Sequence, residues 1–166
     1  MGKRVLVGGF VVMVGLAVAS VAAQNAPAAP AGQGGGRAAA APTPPCGPNP
    51  PADMKNVAKD SRCFELRTYT LTPGGAGDME LLHKRFRDAT MALFKQHGLN
   101  VVGFWQPVAK PDQLIYLLAF KDNVARDAAW AAFNTDPDWI KARTAMAVTL
   151  KVDDVFMIAT DYGPMK

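Results

Sequence analysis

Between Cys63 and Thr160 the apolar residues switch repeatedly between two spacings, and this limits the fold more than any other feature of the chain. Cys63–Leu71 alternates, with Phe64 and Leu66 on one parity and Glu65, Arg67 and Tyr69 on the other, as a strand does. Thr72-Pro73-Gly74-Gly75 breaks that pattern. From about Asp78 to Gln96 the residues Met79, Leu82, Phe86, Ala89 and Leu93 recur at helical spacing, and Gly98 is placed to end the helix. Two apolar strands follow, Val101–Val108 and Gln113–Phe120, close enough for an antiparallel hairpin. Asn123 is the predicted cap of a second helix through Ala125–Phe133, and Asp136-Pro137 starts another turn or two. Lys151–Thr160 is the last strand. The order β-α-β-β-α-β predicts an α+β, ferredoxin-like domain over residues 62–166, a four-stranded antiparallel sheet with helices on one face.

The strands are apolar on both parities. Leu114, Tyr116, Leu118 and Phe120 alternate with Ile115, Leu117 and Ala119, and Phe156 and Ile158 alternate with Val155 and Met157. A sheet with one solvated face should show a polar parity. Helices cover one face, so the other has to meet something apolar, most simply a second copy of itself. A homodimer with sheets face to face is the expectation. The first-strand apolar parity is expected under the helices, with Glu65, Arg67 and Tyr69 pointing into the dimer.

The N-terminal third is different. Lys3 and Arg4 precede an apolar run, Val5–Ala19, and Val21-Ala22-Ala23 offers small residues for cleavage, so residues 1–23 read as a signal peptide and the product as periplasmic or secreted. The alternative is an uncleaved anchor, the one route by which a membrane enters. Residues 24–52 hold nine Ala, eight Pro and five Gly, with no large apolar residue, so 24–61 is expected to be a disordered tether. The formal charge of +4 is concentrated there, since residues 61–166 carry 13 basic and 12 acidic side chains. Such a domain lacks the basic face that nucleic acid demands. In an oxidising compartment Cys46 and Cys63 can close a disulfide; two free thiols are the alternative.

No catalytic motif stands out. Ser20 and Ser61 are the only serines and there are two glutamates, which leaves little for a nucleophile–base set or a carboxylate pair. His83 and His97 are too far apart along one helix to share a metal, and neither a metal nor a cofactor is expected. The candidate ligand-binding residues are Glu65, Arg67 and Tyr69 on the first strand, with Trp105, Tyr116 and Trp130 between sheet and helices. Each has a plainer role: Glu65 and Arg67 as a buried ion pair, the aromatics as core.

Four fragments, in order, resemble the NIPSNAP family: Phe64-Glu65-Leu66-Arg67-Thr68-Tyr69 with Pro73-Gly74, His97-Gly98 running into Val102-Gly103-Phe104-Trp105, Arg126-Asp127-Ala128, and Asp136-Pro137-Asp138-Trp139. The resemblance spans about residues 62–161 and implies the dimeric α/β barrel superfamily. It also implies a binding or protein-interaction module, because family members are linked mainly to protein interaction, trafficking and mitochondrial quality control. Relatives with the same barrel include cofactor-independent monooxygenases, which makes a small-molecule enzyme the alternative.

Overall fold

The structure, a computed structural model, describes residues 43–166. The expected signal peptide and residues 24–42 of the expected tether lie outside them. Strand β1 (Cys63–Leu71) leads to a helical stretch made of α1 (Met79–Arg85), a π-helical turn (Phe86–Thr90) and α2 (Met91–Gln96). Then come β2 (Asn100–Trp105), β3 (Gln113–Phe120), α3 (Asn123–Thr135), α4 (Pro137–Ala145) and β4 (Leu150–Ile158). The sheet order is β2-β3-β1-β4, every pairing antiparallel, which is the ferredoxin-like arrangement.

Side-chain capping sets the helix starts. Asp78 accepts from the Leu81 amide at 2.8 Å, and Asp136 accepts from the amides of Asp138 and Trp139 with Pro137 in the first turn. The second helix is capped by Asp122, which accepts from the Ala125 amide at 2.7 Å, so Asn123 is its first residue and not its cap. Both residue types cap well, so spacing alone could not separate them. Gly98 sits at φ +75°, a conformation that suits glycine just beyond a helix end. β2 ends at Trp105, earlier than its apolar run suggests, and a bulge interrupts its pairing between Val101 and Gly103.

Residues 43–61 are not a tether. Ala58 and Ser61 are buried, Val57 bridges to Thr160, and the Ala58 amide donates to the Ala159 carbonyl at 2.9 Å. Cys46 and Cys63 are joined by a disulfide, and the Asn123 amide donates to the Cys46 carbonyl at 3.1 Å. Two residue-level features make this packing possible despite the composition. The disulfide fixes one end, and Gly47 lets the backbone approach α3, since a Cβ there would lie 2.8 Å from the Asp122 Cα.

The core lies between sheet and helices: Leu82, Phe86 and Phe94 meet Leu114, Tyr116 and Leu118 of β3, with Trp130, Phe133 and Trp139 beside them. On β1 the facing is opposite to the expectation. Glu65, Arg67 and Tyr69 lie under the helices, whereas Phe64 and Leu66 belong to the other face. The reason is chemical: α3 presents two side chains whose N–H groups satisfy Glu65, so burial of this parity leaves no naked carboxylate.

Candidate functional site

Strand alternation carries Glu65, Arg67 and Tyr69 into the helix–sheet interior together, and β3 brings Tyr116 directly opposite Arg67. On α3, Arg126 and Trp130 are four residues apart and so project from one face of the helix. Both reach Glu65. Its Oε1 accepts from Arg67 Nη1 at 2.7 Å and from Arg126 Nη2 at 2.8 Å. Its Oε2 accepts from Arg126 Nε at 2.9 Å and from Trp130 Nε1 at 2.8 Å. Arg126 thus grips the carboxylate as a two-pronged fork, and all four acceptor directions are used.

Burial pushes the Glu65 carboxyl up, but the Arg126 hydrogen bond and the charges of Arg67 and Arg126 outweigh it and hold the group below its ordinary value. Burial likewise disfavours the Arg67 cation, and the Glu65 carboxylate paired with it reverses this, so it remains charged. The Arg67 guanidinium lies 4.5 Å from the Trp130 ring centre and 5.7 Å from that of Tyr69. Tyr116 donates its hydroxyl hydrogen to the Tyr69 hydroxyl at 2.8 Å. Burial, followed by the neighbouring Tyr69, pushes the Tyr116 phenol well up, so it stays protonated.

Five of the six candidate residues therefore meet: Glu65, Arg67, Tyr69, Tyr116 and Trp130. Trp105 does not. It lies on the far face of the sheet, 51% exposed, with its ring against Gly103, where an added Cβ would come within 2.8 Å. A pocket lined jointly by Trp105, Tyr116 and Trp130 is excluded by this geometry. The parity shift at the β2 bulge turns Phe104 inward instead, to within 5.2 Å of Tyr116 between ring centres.

Two arginines of the helix–sheet layer, Arg126 and Arg85, were not among the candidate residues. Arg126 carried a signal, its placement one turn before Trp130. Arg85 carried another, an arginine inside the apolar stripe between Leu82 and Phe86. The histidines are separate from this cluster: His83 Nε2 lies 3.3 Å from Gln106 Oε1, and His97 Nε2 lies 2.6 Å from Asp136 Oδ2. His97 also borders an open groove of about 410 Å³ lined by Asn100, Phe120, Lys121 and alanines of α3. Among the described residues no group of three or more His, Cys, Asp or Glu is gathered for a metal, and no helix is long and apolar enough to cross a membrane.

The model of the NIPSNAP family matches residues 64–164. The chain belongs to the NIPSNAP family. A NIPSNAP family protein of unknown function from Agrobacterium tumefaciens is similar in structure at TM-score 0.55 and 20% identity, over 63% of this chain and 94% of that one. A NIPSNAP-like domain protein from Burkholderia xenovorans aligns at TM-score 0.54 and 18% identity, covering 62% and 89%. A mutant of SnoaB, a cofactor-independent oxygenase from Streptomyces nogalater, aligns at TM-score 0.46 and 16% identity, covering 62% and 97%, too distant to bear on chemistry. A search of curated proteins returns no match. These likenesses establish the fold of this NIPSNAP domain.

Proposed function

We propose that this NIPSNAP domain is an exported binding or interaction module that works as a homodimer, two copies meeting across the sheet face turned away from the helices. The observation that carries this is the chemistry of that face. Leu66, Ile115, Leu117, Val155 and Met157 fall on it by register and are half-buried or exposed, with Trp105 at its edge. Val155 alone is 54% exposed. A central apolar band on a twisted sheet matches its own copy under a two-fold axis, and such a contact closes without leaving a free surface.

The interior favours binding over catalysis. Glu65 is saturated by four hydrogen bonds and is poorly suited as a base, because a proton acceptor needs a free lone pair directed at substrate. Export is supported by the disulfide, which persists in oxidising compartments, together with the leader-like Lys3–Ala23 segment.

Sedimentation velocity of the purified protein tests the assembly, with dimers expected at micromolar concentration. Leu117→Lys, which puts a charge on the open face without touching the core under the helices, should yield folded monomers. Monomeric wild-type protein at that concentration refutes the dimer. Cell fractionation tests export, with a mature product beginning at Gln24 expected outside the cytoplasm.

A further inference from the structure

Among the described residues three buried side-chain atoms have no hydrogen-bonding partner: Nε of Arg67, Nε of Arg85 and Nε1 of Trp139. All three are N–H groups, so what they lack is an acceptor. Arg67 already has the Glu65 carboxylate. Arg85 has no such partner. It is 2% exposed, its Nη1 donates to the Met146 carbonyl at 3.2 Å, and among the described residues no carboxylate lies within ion-pair distance. A buried guanidinium with one peptide carbonyl as its acceptor among the described residues is expensive, and a hydrophobic residue of similar volume would be cheaper.

The surroundings converge. The Arg85 guanidinium lies over the Trp139 ring, 5.5 Å from its centre, so two of the three orphaned donors belong to neighbouring side chains. Burial lowers the affinity of Arg85 for its proton, and the positive charge of Arg143 lowers it further. Arg85 also immediately precedes the π-helical turn Phe86–Thr90, where Thr90 donates its hydroxyl to the Arg85 carbonyl at 3.2 Å. Such turns are rare and frequent at functional sites, because they re-aim side chains that a regular helix would place elsewhere.

We propose that Arg85, with Trp139 beside it, is a binding site for the carboxylate of a small organic acid with an apolar body. A planar carboxylate matches the Nε edge of a guanidinium, and one negative charge balances one uncompensated cation. A phosphate would bring excess charge into a buried site set against the Trp139 ring. Because Arg85 is nearly sealed from solvent, uptake requires a local opening. The connection following Met146, tied to the β1–α1 loop by the Thr149 amide donating to the Ala76 carbonyl at 2.7 Å, is the adjoining element that has to move.

The site rests on the binding-module reading but not on the dimer. Its test is urea unfolding of the whole protein with benzoate as probe, and with inorganic phosphate and chloride at matched ionic strength. Benzoate at ten times its Kd should raise the folding equilibrium constant about tenfold, whereas phosphate and chloride should leave it unchanged. Arg85→Met keeps the volume and removes the charge; it should fold at least as stably as wild type without benzoate and respond to none of the three. The site is overturned if benzoate leaves wild type unchanged, if phosphate matches it, if the variant responds equally, or if the variant loses stability in the absence of anion. Sedimentation of the same samples keeps the two questions separate: monomers that respond to benzoate refute the dimer and leave the Arg85 site standing.

Discussion

Replacing Glu65 by Gln is the sharpest probe of how β1 and α3 are held together. The substitution conserves shape, yet both carboxylate oxygens each accept from two N–H groups. Whichever way the amide is turned, its NH2 faces two donors: Arg67 and Arg126 on one side, or Arg126 and Trp130 on the other. Two hydrogen bonds become donor–donor clashes, the buried Arg67 guanidinium loses its counter-charge, and the half-buried Arg126 is left with Asp127. Removing one partner of a buried ion pair costs about 3–5 kcal/mol, so Glu65→Gln should lose that much. With a urea slope of about 1.5 kcal/mol per molar, the unfolding midpoint falls by about 2–3 M at fixed protein concentration. The pH dependence has a definite sign. Because the folded carboxyl titrates below its ordinary 4.5, the ionised Glu65 contributes fully above that value and the contribution disappears as pH falls through the lowered one. The gap between wild type and variant should therefore narrow below pH 4.5, since Gln does not titrate. A loss under about 1 kcal/mol at pH 7, or a gap that widens with acid, refutes the account of Glu65 as the anchor of the interior.

Two further outcomes can be checked alongside it. Removing the disulfide as Cys46→Ser with Cys63→Ser releases a link across 17 positions and should cost about 3 kcal/mol. Hydrogen exchange should also quicken at the Asn123 amide, because it donates to the Cys46 carbonyl. Asp136→Asn keeps an N-cap oxygen for α4 but loses the charge beside His97, so it should lower the melting temperature. The hydrogen bond from His97 holds the Asp136 carboxyl below its ordinary 3.8, so that difference is present above pH 3.8 and fades as the carboxyl protonates below it.

The element order was legible because β1, β3 and the first helical stretch carry strong periodicity, and the turns between them carry Gly, Pro and capping aspartates. Which parity of β1 faces the helices was not. Phe64 and Leu66 look like core against Glu65 and Arg67, and the rule that apolar residues face inward selects the wrong side. The deciding residues lie some sixty positions downstream on α3, and a strand read by itself carries no trace of them. Residues 43–61 fail for a related reason. Composition finds no large apolar side chain before residue 53, but it does not register a segment held by a disulfide and by backbone hydrogen bonds to Asn123 and Ala159. Trp105 and Phe104 exchange faces because one bulged residue in β2 inverts every side chain after it.

The inverted parity of β1 bears on the assembly. If Phe64 and Leu66 had faced the helices, the outer face of β1 would have been charged, and the apolar band would have been split down the middle by Glu65 and Arg67, because β1 lies between β3 and β4. With the charges inside, Leu66 of β1 stands between Leu117 of β3 and Val155 of β4, and the band runs unbroken across three strands. The Glu65 clamp and the apolar outer face are thus two consequences of a single facing. A variant that destroys the clamp without unfolding the sheet should leave self-association intact, since none of the clamp residues reaches that band.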